Sequence, residues 1–239
     1  VLREAAYLGH LTIHGLSTGL NPGSADLGSS NFELLRKPSI LLLTGEGVSP
    51  TDAGEVWHLF DTRYEMPVTK ADLSDVTPQL LEKYNVVVMP SGSYNTLNPE
   101  TLKAWVNGGG TVIALESATK WLENKQLGSV ALKKEPEPAA GPNARRPYAG
   151  ASEDRAALEL PGCIFEAELD MTHPIAYGFQ RPRLPVFRGN GLFAELPKNV
   201  YAMPLVFTKQ PLMAGYVHKK TKPMVSGSPS VVVSVQGQG

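Results

Sequence analysis

The stretch from Tyr84 to Leu122 constrains the fold of this chain more than any other segment. It contains an apolar run at Val86–Met89, a polar loop, a segment with helical periodicity, three consecutive glycines and a second apolar run at Thr111–Leu115 that turns at once into another helix. Two apolar strands joined by a helix predict a right-handed crossover and a parallel sheet. The second strand ends at Glu116, at the carboxyl edge of the predicted sheet, where ligands and reactive groups gather in such folds.

The same alternation of strand and helix begins upstream of this stretch. Apolar runs at Ser39–Leu43 and Met66–Thr69 predict two further strands. Three of the predicted helices start with a capping residue followed by proline, at Ser49-Pro50, Thr77-Pro78 and Asn98-Pro99, which is a specific helix start signal. The sequence therefore predicts an α/β fold, a flavodoxin-like open and mostly parallel sheet with helices on both faces.

Composition limits the partners of this chain. Of its 239 residues 42% are hydrophobic, enough for a sizeable core, and 22 Lys and Arg against 23 Asp and Glu leave a net charge of -1. This balance predicts no nucleic-acid partner and no membrane-surface partner. The single cysteine, Cys163, excludes an internal disulfide and a zinc site with several thiolates, and we expect it to be a small buried core residue rather than a reactive thiol.

The amino-acid composition changes along the chain and indicates its domain boundaries. Residues 1–37, with a middle rich in Gly, Ser and Asn, are typical of the end of a preceding module and a linker, and residues 38–239 form the predicted α/β domain. Residues 124–160 mix Pro, Gly and both charge signs and predict a long loop or excursion. Because Val1 opens without Met and the turn letters Gln236–Gly239 follow the last apolar run, we expect a piece of a longer protein, truncated at its C-terminus.

Polar groups follow three of the predicted strands. Glu46 lies in the loop after the first strand, Ser91, Gly92 and Ser93 follow the third, and Glu116 and Ser117 follow the fourth. Carboxyl ends of parallel strands share one edge, so these residues are candidates for a ligand-binding site. Glu116 can serve there as a general base or a ligand anchor, or it can simply stabilise the start of a helix as a first-turn acid.

Histidine chemistry is a second possibility. His173 follows a predicted strand and can act as a catalytic base at the sheet edge, or it can be a loop histidine bonded to Asp170 or to backbone. An acidic and histidine stripe along the first predicted helix is more typical of a solvated helix face than of a metal site, and we predict no metal ligands in it: Asp52, Glu55, His58 and Asp61.

The words VVVMPSGSYNTL and GGGTVIALESATKWL together resemble the class I glutamine amidotransferase-like domain. The resemblance places that family's catalytic Cys at Glu116 and its elbow Gly at Ala118. A carboxylate cannot form the thioester of glutaminase chemistry. The family's His-x-Glu pair also lacks a counterpart, because Pro174 and Ile175 follow His173.

A narrower resemblance covers most of the chain. Four sequence segments are similar, in the same order along the chain, to segments of the C-terminal module of certain bacterial zinc carboxypeptidases: LLLTGEGVSPTDAGEVWHLFDTRYEMPVTKAD, RRPYAG, CIFEAELDMTHPIAYGF and LPVFRGN. The resemblance implies an exported, periplasmic or secreted parent chain whose N-terminal peptidase domain is the partner of this fragment. Zinc is then expected only in that peptidase domain, because none of the five histidines here begins a His-x-x-Glu.

These observations lead to one main expectation and two alternatives. We expect a noncatalytic, degenerate amidotransferase-like accessory domain that positions a small molecule or peptide near Glu46, Ser91 and Glu116, or packs on the peptidase domain. The first alternative is a hydrolase that uses Glu116 with His173 or Glu46. The second is an interaction module, which predicts an exposed apolar patch where a partner docks.

Overall fold

The computed structural model describes residues 1–9, 12–32, 36–134 and 145–239. It divides into two compact units, Val1–Lys37 and Pro38–Gly239. The first unit contains helix α1 (Leu2–Leu8) followed by turns, and no described residue of this unit belongs to the buried hydrophobic core. The unit boundary coincides with the change in composition at Pro38.

The first half of the second unit is a four-stranded parallel sheet. Its strands are β1 (Ile40–Thr44), β2 (Val68–Asp72), β3 (Val86–Met89) and β4 (Thr111–Ala114), in the order β2-β1-β3-β4. Every pair is parallel, with Ile40 opposite Val68 on one side and Val86 on the other. This order is that of flavodoxin-like doubly wound sheets, so the predicted fold class is confirmed.

Four helices follow these strands: α2 (Pro50–His58), α3 (Pro78–Leu81), α4 (Pro99–Asn107) and α5 (Ser117–Asn124). The three predicted caps are present. Ser49 Oγ accepts from Asp52 N at 3.3 Å, Thr77 Oγ1 from Leu80 N at 3.2 Å and Asn98 Oδ1 from Glu100 N at 3.0 Å. No helix in the described part of the chain is long and apolar enough to cross a membrane.

The parallel sheet is covered on both faces. Successive residues of β1 enter two different cores: Leu41 and Leu43 pack with α4 and α5 on one face, and Ile40 and Leu42 pack with Val56 and Phe60, from α2 and the turn after it, on the other. A strand buried on both faces has no polar alternation, which explains the continuous apolar run ILLL.

The second half of this unit is a separate antiparallel sheet. Strands β5 (Cys163–Leu169), β6 (Arg183–Arg188), β7 (Leu205–Ala214) and β8 (Pro229–Val231) lie in the order β6-β5-β7-β8, with α6 (Ala151–Leu158) before them and α7 (Lys222–Val225) between β7 and β8. Its core includes Phe165, Phe193 and Phe207, which meet edge to face. The sequence prediction of one mostly parallel sheet did not include this sheet. The alternation of buried and exposed residues along β5 is the mark of a strand with one solvated face.

The predicted loop over residues 124–160 is partly regular structure. Leu132 bridges to Ala194, and α6 occupies Ala151–Leu158, whereas residues 135–144 lie outside the described residues. Helix α6 carries acids in its first turn, and one of them, Glu153, lies 2.8 Å from Lys219 Nζ. The loop prediction missed this helix because the favourable end charge and the ion pair do not produce an apolar period.

Cys163 is a core residue. It is 1% exposed, and its Sγ donates to Tyr216 O at 3.0 Å. Burial raises the pKa of this thiol, which disfavours the reactive thiolate.

Candidate functional site

The loops after β1 and β3 are joined by their backbones. Val48 and Gly92 form an antiparallel bridge, and Ser93 N donates to Gly47 O at 2.8 Å. A Cβ atom at Gly92 would lie 2.6 Å from Gly47 O, so only glycine permits this approach. The loop that carries Glu46 is therefore held beside the serine-containing loop after β3.

A buried tyrosine anchors the loop after β3 from below. Tyr94 is fully buried, its hydroxyl donates to Pro90 O, and its ring lies 5.9 Å from the ring of Trp121 in α5. Burial raises the pKa of Tyr94 above its ordinary value, and the negative charge of Asp52 adds to the shift. Tyr94 thus remains a neutral hydrogen-bond donor that holds the loop containing Ser91 and Ser93.

Glu116 forms a sharp elbow between β4 and α5. Its backbone has φ 49° and ψ -117°, a conformation in the positive-φ region that a residue with a side chain rarely adopts. Such strain costs on the order of 1–3 kcal/mol and clusters at functional sites. The turn is closed by Ala118 N donating to Leu115 O at 3.0 Å and Thr119 N donating to Glu116 O at 3.0 Å. The exposed carboxylate consequently sits at the start of α5, on the carboxyl edge of the sheet.

Ser117 ties this elbow to the loop after β3. Its Oγ accepts a hydrogen bond from Gly92 N at 2.7 Å and lies 2.8 Å from Ser91 Oγ and 3.1 Å from Gly92 O, either of which can receive its proton. The predicted ligand-binding residues Glu46, Ser91, Gly92, Ser93, Glu116 and Ser117 therefore lie on three adjoining loops at one sheet edge, which we call the elbow site. Within it the Gly92 N–H is already engaged by the Ser117 hydroxyl.

The antiparallel sheet contributes a positive charge that the sequence prediction missed. Arg188, the last residue of β6, donates from Nη2 to Asn190 Oδ1 at 3.0 Å and to Leu192 O, and its guanidinium lies 5.5 Å from the centre of the Phe193 ring. Its Nε is buried without a hydrogen-bond partner among the described residues. Burial lowers the pKa of Arg188, and the negative charge of Glu116 opposes that shift. The only sequence signal was an arginine that ends an apolar strand, in the word LPVFRGN.

His173 does not join this arrangement. Its Nδ1 accepts a hydrogen bond from Ile175 N at 3.2 Å, which caps the short 3-10 helix Pro174–Ala176. In the β5–β6 hairpin Cys163 pairs with Arg188, whereas His173 follows the other end of β5, which is about 20 Å away along a seven-residue strand. His173 is therefore at the end of the hairpin opposite to the residue whose charge acts on Glu116.

The acid and histidine stripe of the first helix is largely exposed. Glu55 and His58 are exposed on α2, and no ion pair joins them in the described structure. Over the described ranges no group of three His, Cys, Asp or Glu side chains is placed to hold a metal ion.

Comparison with known proteins gives a likeness of fold. No protein-family profile matches the chain, and no curated protein matches it. Among solved structures, a protein from Parabacteroides merdae described as ThuA-like is 14% identical, with a TM-score of 0.46 over 85% of this chain and 77% of that one. A protein from Thermoplasma acidophilum described as part of a GMP synthase is 9% identical, with a TM-score of 0.41 over 70% of each chain. Both have glutamine amidotransferase-like folds, and at these values nothing follows about chemistry in this chain.

Proposed function

We propose that residues 38–239 are a noncatalytic accessory domain, a degenerate relative of glutamine amidotransferase-like domains, that binds a ligand at the elbow site. The observation that carries this proposal is the strained elbow itself. The elbow carries Glu116 at the position that the amidotransferase resemblance gives to the catalytic Cys. The hydroxyl of the next residue, Ser117, accepts the hydrogen bond from Gly92 N.

Acyl transfer at an elbow has two requirements, and Glu116 and Gly92 do not meet them. The first is a nucleophile with an adjacent base, and an exposed carboxylate does not replace a thiolate in forming a thioester. The second is a set of open N–H donors that stabilise the developing oxyanion. Gly92 N faces the elbow, but it donates to Ser117 Oγ at 2.7 Å. The elbow geometry without these groups suits binding rather than turnover.

The chemistry of the elbow site favours a ligand with N–H groups. Glu116 is an exposed acceptor on a rigid turn, and the serine hydroxyls beside it can accept or donate. An ammonium or amide group of a small molecule or peptide meets this set of partners.

The association with a zinc carboxypeptidase is the finer part of the proposal. This part is supported by four separate sequence segments that are similar to the C-terminal module of such enzymes and occur in the same order. The partner is then the N-terminal peptidase domain of the parent chain. Zinc would belong to that domain, and this fragment would position the peptide substrate or pack on the peptidase.

The hydrolase alternative has one observation in its favour. The loop of Glu46 is hydrogen-bonded to the loop of Ser93, which Ser117 joins to the elbow, so we propose Glu46 rather than His173 as the partner of Glu116. In this alternative the carboxylates of Glu46 and Glu116 would act as the general acid and the general base. Loss of hydrolysis of any ester or amide substrate in both Glu46→Gln and Glu116→Gln would favour this alternative.

Two measurements test the proposal. The first is ammonia release from glutamine by the 239-residue chain and its Glu116→Ala variant. We expect none from either, and turnover that Glu116→Ala abolishes would overturn the noncatalytic assignment.

The second measurement uses the parent chain with its peptidase domain. Glu116→Gln is expected to raise KM for peptide hydrolysis and leave kcat unchanged, because binding at a remote site does not alter the chemical step. Glu100→Gln, an exposed acid on α4, is the matched control and should change neither constant. A parent chain with unchanged KM in Glu116→Gln would contradict the positioning role.

A further inference from the structure

The antiparallel sheet contains a cavity that the elbow site does not use. Its volume is about 360 Å³, within the range of roughly 300–1,000 Å³ that small-molecule sites occupy. Its floor is apolar and buried, formed by Phe165, Val217 and Val225. Lys209 and Lys222, both exposed, line the same cavity.

A large bulge in β7 opens this cavity. Phe165 of β5 pairs with Leu212 and Ala167 pairs with Phe207, so four residues of β7, 208–211, stand opposite the single residue Glu166. The bulged segment is held by Ser226 Oγ, which donates to Lys209 O at 2.9 Å. Bulges bend a strand and redirect its side chains, and they occur often beside binding sites. The bulge here leaves residues 208–211 unpaired with β5 and places Lys209 at the rim of the apolar floor.

The charges at this rim are uncompensated. Neither Lys209 nor Lys222 takes part in an ion pair within the described ranges, and no Asp or Glu lines the cavity. Two positive groups above a floor of hydrocarbon select for a molecule with one anionic end and one apolar end. A phosphate or sulfate alone would leave the floor empty, and a neutral hydrocarbon would leave the cations unmatched.

We propose that this cavity binds an apolar carboxylate. The hydrocarbon body lies against Phe165, Val217 and Val225, and the carboxylate lies between the ammonium groups of Lys209 and Lys222. This inference goes beyond the proposed function and does not depend on it, because it concerns the other sheet and none of the elbow-site residues.

The first test is an NMR titration of the ¹⁵N-labelled 239-residue chain with 3-phenylpropionate. Saturable shifts are expected at the backbone amides of Gln210, Leu212 and Val217, with a Kd on the order of 1 mM, given the small number of ligand atoms. Two control ligands separate the two halves of the site. 3-Phenylpropionamide has the same shape without the charge, and acetate has the charge without the apolar body. Both are expected to bind at least about fivefold more weakly.

The second test removes the charges. The double variant Lys209→Gln and Lys222→Gln should weaken 3-phenylpropionate binding by about fivefold or more, because each exposed ion pair contributes up to about 1 kcal/mol. Lys198→Gln removes an exposed lysine that does not line the cavity and should leave the Kd unchanged. All three lysines are exposed, so these variants keep the fold.

Three results would overturn this inference. They are absence of saturable shifts at the cavity amides, equal affinity for the acid and the amide, and an unchanged Kd in the double variant.

Discussion

The two sheets of the second unit follow opposite burial patterns. In β1 the four residues Ile40–Leu43 are all at most 3% exposed, because helices cover both faces of the parallel sheet. In β5 burial alternates: Phe165 is 1% exposed and its neighbour Ile164 is 39% exposed, because only one face of the antiparallel sheet is packed. The covering of a sheet, rather than its strands alone, therefore decides which side chains contribute most to stability.

The two sheets also build their candidate sites by different means. The elbow site of the parallel sheet depends mainly on backbone geometry. The backbone of Gly92 packs closely against Gly47, Glu116 adopts a strained turn, and Gly92 N donates a hydrogen bond to Ser117 Oγ. The cavity of the antiparallel sheet is organised by side chains around a bulge, with Lys209 and Lys222 at its rim. Substitutions should therefore act on the first through conformation and on the second through charge.

The largest expected effect tests the burial comparison. Leu42→Ala in β1 should lower the free energy of unfolding by about 2–5 kcal/mol, because a fully buried side chain leaves a cavity. Ile164→Ala in β5 should lower it by about 1 kcal/mol or less, since this side chain is 39% exposed. Denaturant unfolding of both variants measures the difference. Equal losses would show that β5 is buried on both faces and break the comparison.

The second prediction concerns backbone approach at the elbow site. Gly92→Ala should lower the free energy of unfolding by about 1–3 kcal/mol, because the new Cβ would lie 2.6 Å from Gly47 O and 2.9 Å from Val48 Cα. The control is Gly54→Ala in α2, where a Cβ meets nothing within 4 Å. It should raise stability by up to about 1 kcal/mol through helix propensity. Thermal unfolding of the two variants is expected to shift in opposite directions.

The third prediction concerns the strain at Glu116. Glu116→Gly should raise the free energy of unfolding by about 1 kcal/mol, because glycine adopts φ 49° and ψ -117° without a Cβ clash. Glu116→Gln keeps the strain and removes the charge, so it should leave stability nearly unchanged. If the glycine variant is less stable than the glutamine variant in chemical denaturation, the elbow is not strained in the way that its dihedral angles indicate.

The smallest expected effect is a pH dependence in the half of the unit that holds α6. Lys219 lowers the pKa of Glu153 below its ordinary 4.5 by donating a hydrogen bond, and His218 adds to the shift. The stabilisation is then present above pH 4.5 and is lost as the pH falls through the lower folded-state value.

Thermal unfolding between about pH 6 and pH 3 tests this pH dependence. Glu153→Gln should flatten the acid limb of the stability profile, and the exposed Glu159→Gln should not. Identical profiles for wild type and Glu153→Gln would remove this ion pair as a source of acid sensitivity.

Sequence reasoning predicted the parallel half well because its signals are local. The caps at Ser49, Thr77 and Asn98 and the continuous apolar strands depend on residues within one or two turns of each other. The antiparallel sheet was missed because its strands do not follow the regular strand–helix alternation that predicts crossovers in the parallel half. Helix α6 was missed because its support is an ion pair to Lys219 rather than an apolar period.

The candidate site divides in the same way. Glu46, Ser91 and Glu116 were predictable because carboxyl ends of neighbouring parallel strands must share an edge. The electrostatic interaction of Arg188 with Glu116 and the position of His173 at the other end of the β5–β6 hairpin were not, because both depend on the register of that hairpin.

The class of fold and the helix starts could be predicted from the sequence, since they depend on residue type and short-range pattern. The folded structure adds three features: the hydrogen bond from Gly92 N to Ser117 Oγ, the positive charge of Arg188 and the cavity at the β7 bulge. The physical reason is that hydrogen bonds, charge proximity and strand register depend on distances between residues remote in the chain, and no local pattern encodes those distances.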